Sequence, residues 1–247
     1  MTEAADAGEK VAVVSGGSRG LGRVLVTRLL DEGWRVATFS RTASPFIEST
    51  GAAAGDKFWW STADMSDPQS LRDFVVGVLR RLGRIDLLIN NAGLLHQELA
   101  LTMSAAAVSS VINVNLVGPI TLANACARPM SRTGGVIVNV SSINAVRGYR
   151  GVSVYSAAKA GLDGFSRSLA RELGELNIRV NTVVPGYFDS DMTARVTDEN
   201  RKRIQHRTPL RRLANVNEIA DATLFLCSSG SSFVTGQSLI VDGGITC

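Results

Sequence analysis

Histidine is almost missing from this chain, with only His96 and His206 in 247 residues. That scarcity leaves few candidates for a zinc site or a serine-hydrolase triad, both of which lean on imidazole. Cysteine is nearly as rare. Cys126, Cys227 and Cys247 show neither metal-ligand spacing nor an even-numbered disulfide framework, so no metal and a reducing, cytoplasmic setting are expected. No Pro/Gly/Ser-rich linker divides the chain, which argues for one domain over residues 11–247. No tract of membrane-spanning length is expected, and residues 1–10, MTEAADAGEK, read as a polar, flexible N-terminus and not as a leader or anchor. With a net charge of +4 and arginines scattered without interleaved aromatics, a nucleic-acid partner has no support.

What is present is a regular alternation. Short apolar runs, VAVVS, RVATFS, KFWWSTAD, DLLINNAG, GVIVNVSS, IRVNTVVPG and SLIVDGG, are separated in most cases by helical patterns. Seven such runs predict an α/β fold, a doubly wound parallel sheet with helices on both faces. The stretch TASPFIESTGAAAG reads as a poor helix, looping over one edge of the sheet.

The first run opens a nucleotide-binding unit: strand, glycine-dense turn, then a helix with Leu21, Val24, Leu25, Leu29 and Leu30 on its apolar face. Gly16 permits a sharp turn, while Gly20 and Gly22 remove side chains where a pyrophosphate approaches a helix N-terminus, whose dipole and free N–H groups favour phosphate. The second strand ends at Arg41 with no acidic residue placed to grip a ribose 2′-hydroxyl. Arg19, inside the glycine loop, and Arg41 therefore converge on the adenosine end, and their guanidinium forks suit the 2′-phosphate of NADPH over NADH.

Tyr155 and Lys159, four residues apart in VYSAAKAGLDGFSRSL, share a helix face. An ammonium one turn from a phenol favours the phenolate and brings proton exchange into range. Ser142, after VIVNV, is placed to hydrogen-bond a carbonyl oxygen beside the phenol. Asn115 lies in a helical pattern interrupted near Gly118 and Pro119. Polar and turn residues able to touch a ligand, Gly16, Arg41, Asp64, Asn91, Ser142, Pro185 and Gly186, fall at strand ends, where open α/β sheets bind ligands.

The segments SGGSRGLG, ADMSD, NNAG, NVNLVG, VSS, YSAAK, NTVVPG and TGQSLIVDGG, in this order, resemble the short-chain dehydrogenase/reductase family over nearly the whole chain. PGYFDSDMT, PLRRLANVNEIA and VTGQSLIVDGG are most similar to the 3-oxoacyl-[acyl-carrier-protein] reductase branch. The resemblance implies that Tyr155 protonates a ketone as NADPH delivers hydride. Ser142 would hold the ketone oxygen, Lys159 would bind the nicotinamide ribose, and Asn115 would anchor a water. It also implies that Gly16, Gly17, Ser18, Arg19, Gly20, Leu21 and Gly22 line the pyrophosphate and Arg41 the 2′-phosphate. Asp64 and Met65 would meet the adenine, Asn91 the adenosine side, and Pro185, Gly186, Phe188 and Ser190 the nicotinamide side.

Some positions depart from the branch. Ser15 replaces a threonine but keeps the hydroxyl, Arg147, Tyr149 and Arg150 enlarge the loop before Tyr155, and Leu176 stands where a basic residue would grip a carrier protein. A β-ketoacyl thioester or polyketide-like ketone, free or delivered by an acyl carrier protein, is the expected substrate. Two other readings stand beside it: an alcohol, sugar or steroid dehydrogenase working oxidatively, and a silent dinucleotide-binding sensor or scaffold. The family commonly forms tetramers, so a homotetramer or homodimer is implied. The row Leu162, Phe165, Leu169 and Leu173 belongs either to such an interface or to the sheet beneath it. Residues 187–210 read as a mobile substrate lid or a solvated helix.

Overall fold

The computed structural model describes residues 9–189 and 197–247; Ser190, most of the polar N-terminus and the middle of the expected lid lie outside the described residues. All seven apolar runs are strands: β1 (Val11–Ser15), β2 (Arg35–Ser40), β3 (Phe58–Thr62), β4 (Leu87–Asn90), β5 (Gly135–Val140), β6 (Ile178–Pro185) and β7 (Ser238–Val241). They form a parallel sheet in the order β3-β2-β1-β4-β5-β6-β7. The direction of strand progression reverses between β1 and β4, which opens a crevice beyond their carboxyl ends.

Several strands end earlier than their apolar runs. Ala63–Asp64, Asn91–Gly93 and Ser141–Ser142 leave the sheet, so these residues are free to face the crevice.

Strand alternation feeds two cores. Val11 and Val13 point to one side, with Leu71, Phe74 and Val78 of α3 (Pro68–Leu82), Leu122 and Met130 of α5 (Gly118–Met130), and Leu169 of α6 (Ser153–Leu173). Ala12 and Val14 point to the other, with Leu25 and Leu29 of α1 (Gly20–Asp31) and Ile219 of α8 (Val216–Cys227). Leu162 and Leu169 are buried, while Phe165 and Leu173 are only partly covered where they pack on the first core.

Three expectations need correction. TASPFIESTGAAAG is mostly helical, as α2 (Pro45–Ala54), because Ser44 Oγ accepts the Ile47 N–H at 3.4 Å and Pro45 pre-sets the first turn. Ile47 then anchors the helix in the second core.

The break expected near Gly118 and Pro119 lies just upstream, as a π-helical turn, Asn113–Val117, between α4 (Ala105–Ile112) and α5. Pro119 offers no N–H, and the hydrogen-bond ladder is rearranged in the turn before it.

The run Ala105–Met130 is also long and apolar enough by length and composition to cross a membrane, at mean hydropathy 1.5. Small alanines supply much of that apolarity, and Leu122, Ala123, Cys126 and Met130 are spent in the core.

Candidate active site

The crevice holds a cavity of about 410 Å³, lined on one side by the β1–α1 loop and on the other by Ser142, Tyr155 and Lys159. Ser15 Oγ accepts the N–H groups of Asn91 and Ala92, both at 3.0 Å, which ties the β1 and β4 loops together. The hydroxyl retained at this departure from the family pattern is therefore used. Asn91 Nδ2 returns the tie by donating to the carbonyls of Ser15 at 3.0 Å and Gly16 at 3.3 Å.

The glycine loop fits a phosphate chain. A Cβ on Gly22 would stand 2.2 Å from the Gly16 carbonyl and 2.5 Å from Asn91 Nδ2, so only glycine lets α1 begin this close to the loop. Gly20 sits at φ +53°, in the left-handed region, with open space where a side chain would be. Ser18, Arg19, Gly20 and Leu21 line the cavity with Gly16 and Gly22.

Gly17 does not line the cavity. It packs inward, its N–H donating to Thr38 Oγ1 at 3.0 Å, and an added Cβ would meet that oxygen at 2.4 Å. Its role is to let the loop lie on β2.

At the adenosine end, Arg19 and Arg41 line the rim, and Arg41 is exposed. Asp64 Oδ1 accepts from the Ser66 N–H at 2.8 Å and from Ser66 Oγ at 2.7 Å. The backbone bond from Ser66 holds this carboxyl below the usual range, with the Arg41 charge adding to it. Met65, Asn91, Pro185, Gly186 and Phe188 all line the cavity as expected. Phe39, Leu94, Leu95 and Ile143 line it as well and were not anticipated, and Tyr187, at the start of the expected lid, joins them. Their only sequence signal is adjacency to the polar strand ends.

At the reacting end, Tyr155 and Lys159 stand one turn apart near the start of α6, and both are buried. Lys159 Nζ donates to the Val140 carbonyl at 2.8 Å and lies 5.8 Å from the Tyr155 ring centroid. Burial pushes the phenol up to about 12, opposed by a hydrogen bond with Ser142. Burial also brings the lysine down to about 8, opposed by the charge of Asp163. The phenol is thus shifted up and not down as expected: desolvation outweighs the hydrogen bond with Ser142, and Tyr155 is a protonated hydroxyl at neutral pH.

Asn115 is buried just behind the cavity wall. Its Nδ2 donates to the Leu94 carbonyl at 2.8 Å and to the Val111 carbonyl at 2.9 Å, and its Oδ1 accepts the Leu94 N–H at 3.1 Å. It clamps the β4 loop onto the π-helical turn, satisfying the Val111 carbonyl that the turn leaves over.

Beyond the site, Tyr149 stacks edge-on to Tyr187 at 6.4 Å, and Arg147 donates to the Ile245 carbonyl at 3.0 Å. The second half of the expected lid is α7 (Asp198–Arg207), held by Ile204 packing near Tyr187 and by an ion pair of Arg201 with Asp189 at 2.7 Å.

A parallel sheet with its cavity at the strand reversal, a glycine loop on one side and a Ser–Tyr–Lys cluster on the other define a nucleotide-dependent oxidoreductase fold; the chain belongs to the short-chain dehydrogenase/reductase family. The family described as Enoyl-(Acyl carrier protein) reductase matches residues 16–246. Among relatives, the 3-oxoacyl-[acyl-carrier-protein] reductase FabG of Chlamydia trachomatis is 38% identical over 96% of this chain and 97% of its own. Carbonyl reductase family member 4 of Danio rerio is 38% identical over 96% and 98%. A double mutant of a Serratia marcescens short-chain dehydrogenase/reductase superposes with a TM-score of 0.90 at 31% identity, covering 96% of this chain and 98% of that one.

Proposed function

We propose that this protein is an NADPH-dependent ketoreductase acting on β-ketoacyl thioesters or related polyketide-like ketones. The observation that carries the reading is the placing of Ser142, Tyr155 and Lys159 in one cavity with the glycine loop and Arg41. When bound, the reduced nicotinamide supplies hydride to the carbonyl carbon.

The chain's own residues handle the oxygen. Ser142 Oγ donates a hydrogen bond to it, and the Tyr155 hydroxyl gives it a proton, because an alkoxide is far more basic than a phenolate. A phenol kept protonated by burial is the form that can give up this proton. Lys159 binds the ribose and stabilises the phenolate left behind. Asn115 holds the Leu94 loop that closes the wall. Arg19 and Arg41 take the 2′-phosphate, while Gly16, Ser18, Gly20, Leu21 and Gly22 admit the pyrophosphate.

The same reading extends to the setting. The free cysteines, Cys126 buried and Cys227 half-buried, suit a reducing cytoplasm. Leu176, exposed on the turn after α6, offers no charge to a carrier protein, so the reading favours free thioesters while admitting carrier-bound ones. Assembly into dimers or tetramers, as the resemblance implies, completes it.

The test is NADPH consumption against acetoacetyl thioesters, bulky cyclic ketones and small aldehydes, with NADH in parallel. Preferential turnover of the thioesters with NADPH is expected. Strong NAD-linked alcohol oxidation, or dinucleotide binding without turnover of any ketone, would overturn the assignment.

A further inference from the structure

Asp163 is an acid in a place that ordinarily excludes one. It lies one turn beyond Lys159 on the inward face of α6 and is 7% exposed, against a sheet whose neighbouring side chains are apolar or neutral. Its Oδ1 has no hydrogen-bond partner. An unpaired carboxylate buried this way is costly, and a leucine or asparagine would sit on the sheet more cheaply. Beyond a hydrogen bond with Ser141, what offsets that cost is the charge of Arg167 and Lys159 along the helix.

Tyr155, Lys159, Asp163 and Arg167 recur every four residues, so their side chains form one column from the cavity to the exposed Arg167. The Ser141 hydroxyl, just past β5, has one proton and two acceptors in reach, the Asp163 carboxyl and, at 3.5 Å, the Lys159 carbonyl.

We propose that Asp163 is a positioning residue, whose carboxylate one turn behind Lys159 keeps the lysine ammonium charged and fixed for the proton transfer at Tyr155. The role rests on the reductive reading of the site; the pairing itself does not.

The surroundings leave few competing charges. From the elements packed on α6, α4 and the turn Asn113–Val117 bring no titratable side chain, and α5 brings only Cys126 and Arg128. The β6 contribution is Arg179, whose guanidinium is spent on the carbonyls of Leu226, Ser228 and Val234. The 3-10 turn after α6 carries Glu175. Burial raises the Asp163 carboxyl, opposed by the Ser141 hydrogen bond and then by the charges of Arg167 and Lys159, and burial lowers Lys159, opposed by the charge of Asp163. The two are both charged only between their titrations, and that window is where the column works.

The chain has lysines only at positions 10, 57, 159 and 202, so ε-13C-lysine labelling gives a spectrum of four resonances. The Lys159 resonance should titrate in two steps, a small one as Asp163 ionises and a large one as the amine itself deprotonates. In Asp163→Asn the small step vanishes and the large midpoint falls by about one pH unit, the scale of a close opposite charge. The alkaline limb of kcat/KM moves down with it, and Asp163→Glu restores both.

An unmoved Lys159 midpoint in folded Asp163→Asn overturns the proposal whatever the enzyme reduces. Should that variant not fold, a single-step titration in the unsubstituted protein overturns it equally. A shifted midpoint with an unmoved activity profile overturns the positioning role. A shifted midpoint in a protein that reduces no ketone leaves the pairing standing and sinks the reductive reading instead.

Discussion

The two walls of the cavity are built on opposite principles. On the nucleotide wall, β1 to α1, the useful groups are backbone N–H donors, and the decisive residues are those that have no side chain, Gly22 above all. On the reacting wall, β5 to α6, the useful groups are side chains, Ser142, Tyr155 and Lys159, and their chemistry is set by how little water reaches them. The first wall works by shape and leaves no room for an added atom at Gly22. The second acts by proton affinity, so its shape can persist while its function is lost.

That contrast is sharpened most by Tyr155→Phe. The variant should fold and bind dinucleotide normally yet lose at least about a hundredfold in ketone reduction, the usual scale for a general acid; unchanged steady-state turnover would remove Tyr155 from the mechanism. Gly22→Ala is the opposite case. Its clash with the Gly16 carbonyl should cost about 1–3 kcal/mol at the loop, seen as a loss of about tenfold to a hundredfold in dinucleotide affinity by calorimetry, and normal affinity would break the shape argument.

Arg41→Ala should weaken NADPH by about tenfold or more while leaving NADH almost untouched, as expected for one charge-assisted bond to a phosphate. Equal losses for both cofactors would move the 2′-phosphate site elsewhere. Turnover should fall about tenfold between pH 7 and pH 9, because Lys159, held down at about 8, loses its proton well before an ordinary lysine; a flat profile over that range would contradict it.

The smallest effect belongs to a site outside both walls. Asn215 caps α8 in a reciprocal box with Glu218, and Asn215→Ala should cost about 1 kcal/mol in chemical denaturation with no change in either wall's activity.

Much of this was legible in the amino-acid sequence, unevenly between the walls. The seven strands were found because parallel strands buried on both faces are continuous apolar runs, and the glycine loop because its constraint is an absence that sequence displays. That Tyr155, Lys159 and Ser142 share a cavity with the glycine loop was equally readable, but the direction of the Tyr155 shift was not. Spacing reveals the neighbouring charge, whereas desolvation depends on the whole fold. That Gly17 packs on β2 was not readable, because glycines that face a ligand and glycines that face a strand look alike. Helix α2 was underrated because Gly51 and the poor apolar pattern outweighed the Ser44–Pro45 start. Asp163 gave no sequence signal beyond a single letter inside the Tyr–Lys helix, and only its burial made it conspicuous.

The tie between Ser15 and the Asn91–Ala92 backbone spans 76 and 77 positions of chain. A ribosome must therefore add about seventy residues after the glycine loop is made before that loop can acquire its final contour. A truncated product ending ahead of Leu87 should emerge with the phosphate cradle written in its letters yet unable to be retained on an immobilised adenosine-phosphate resin.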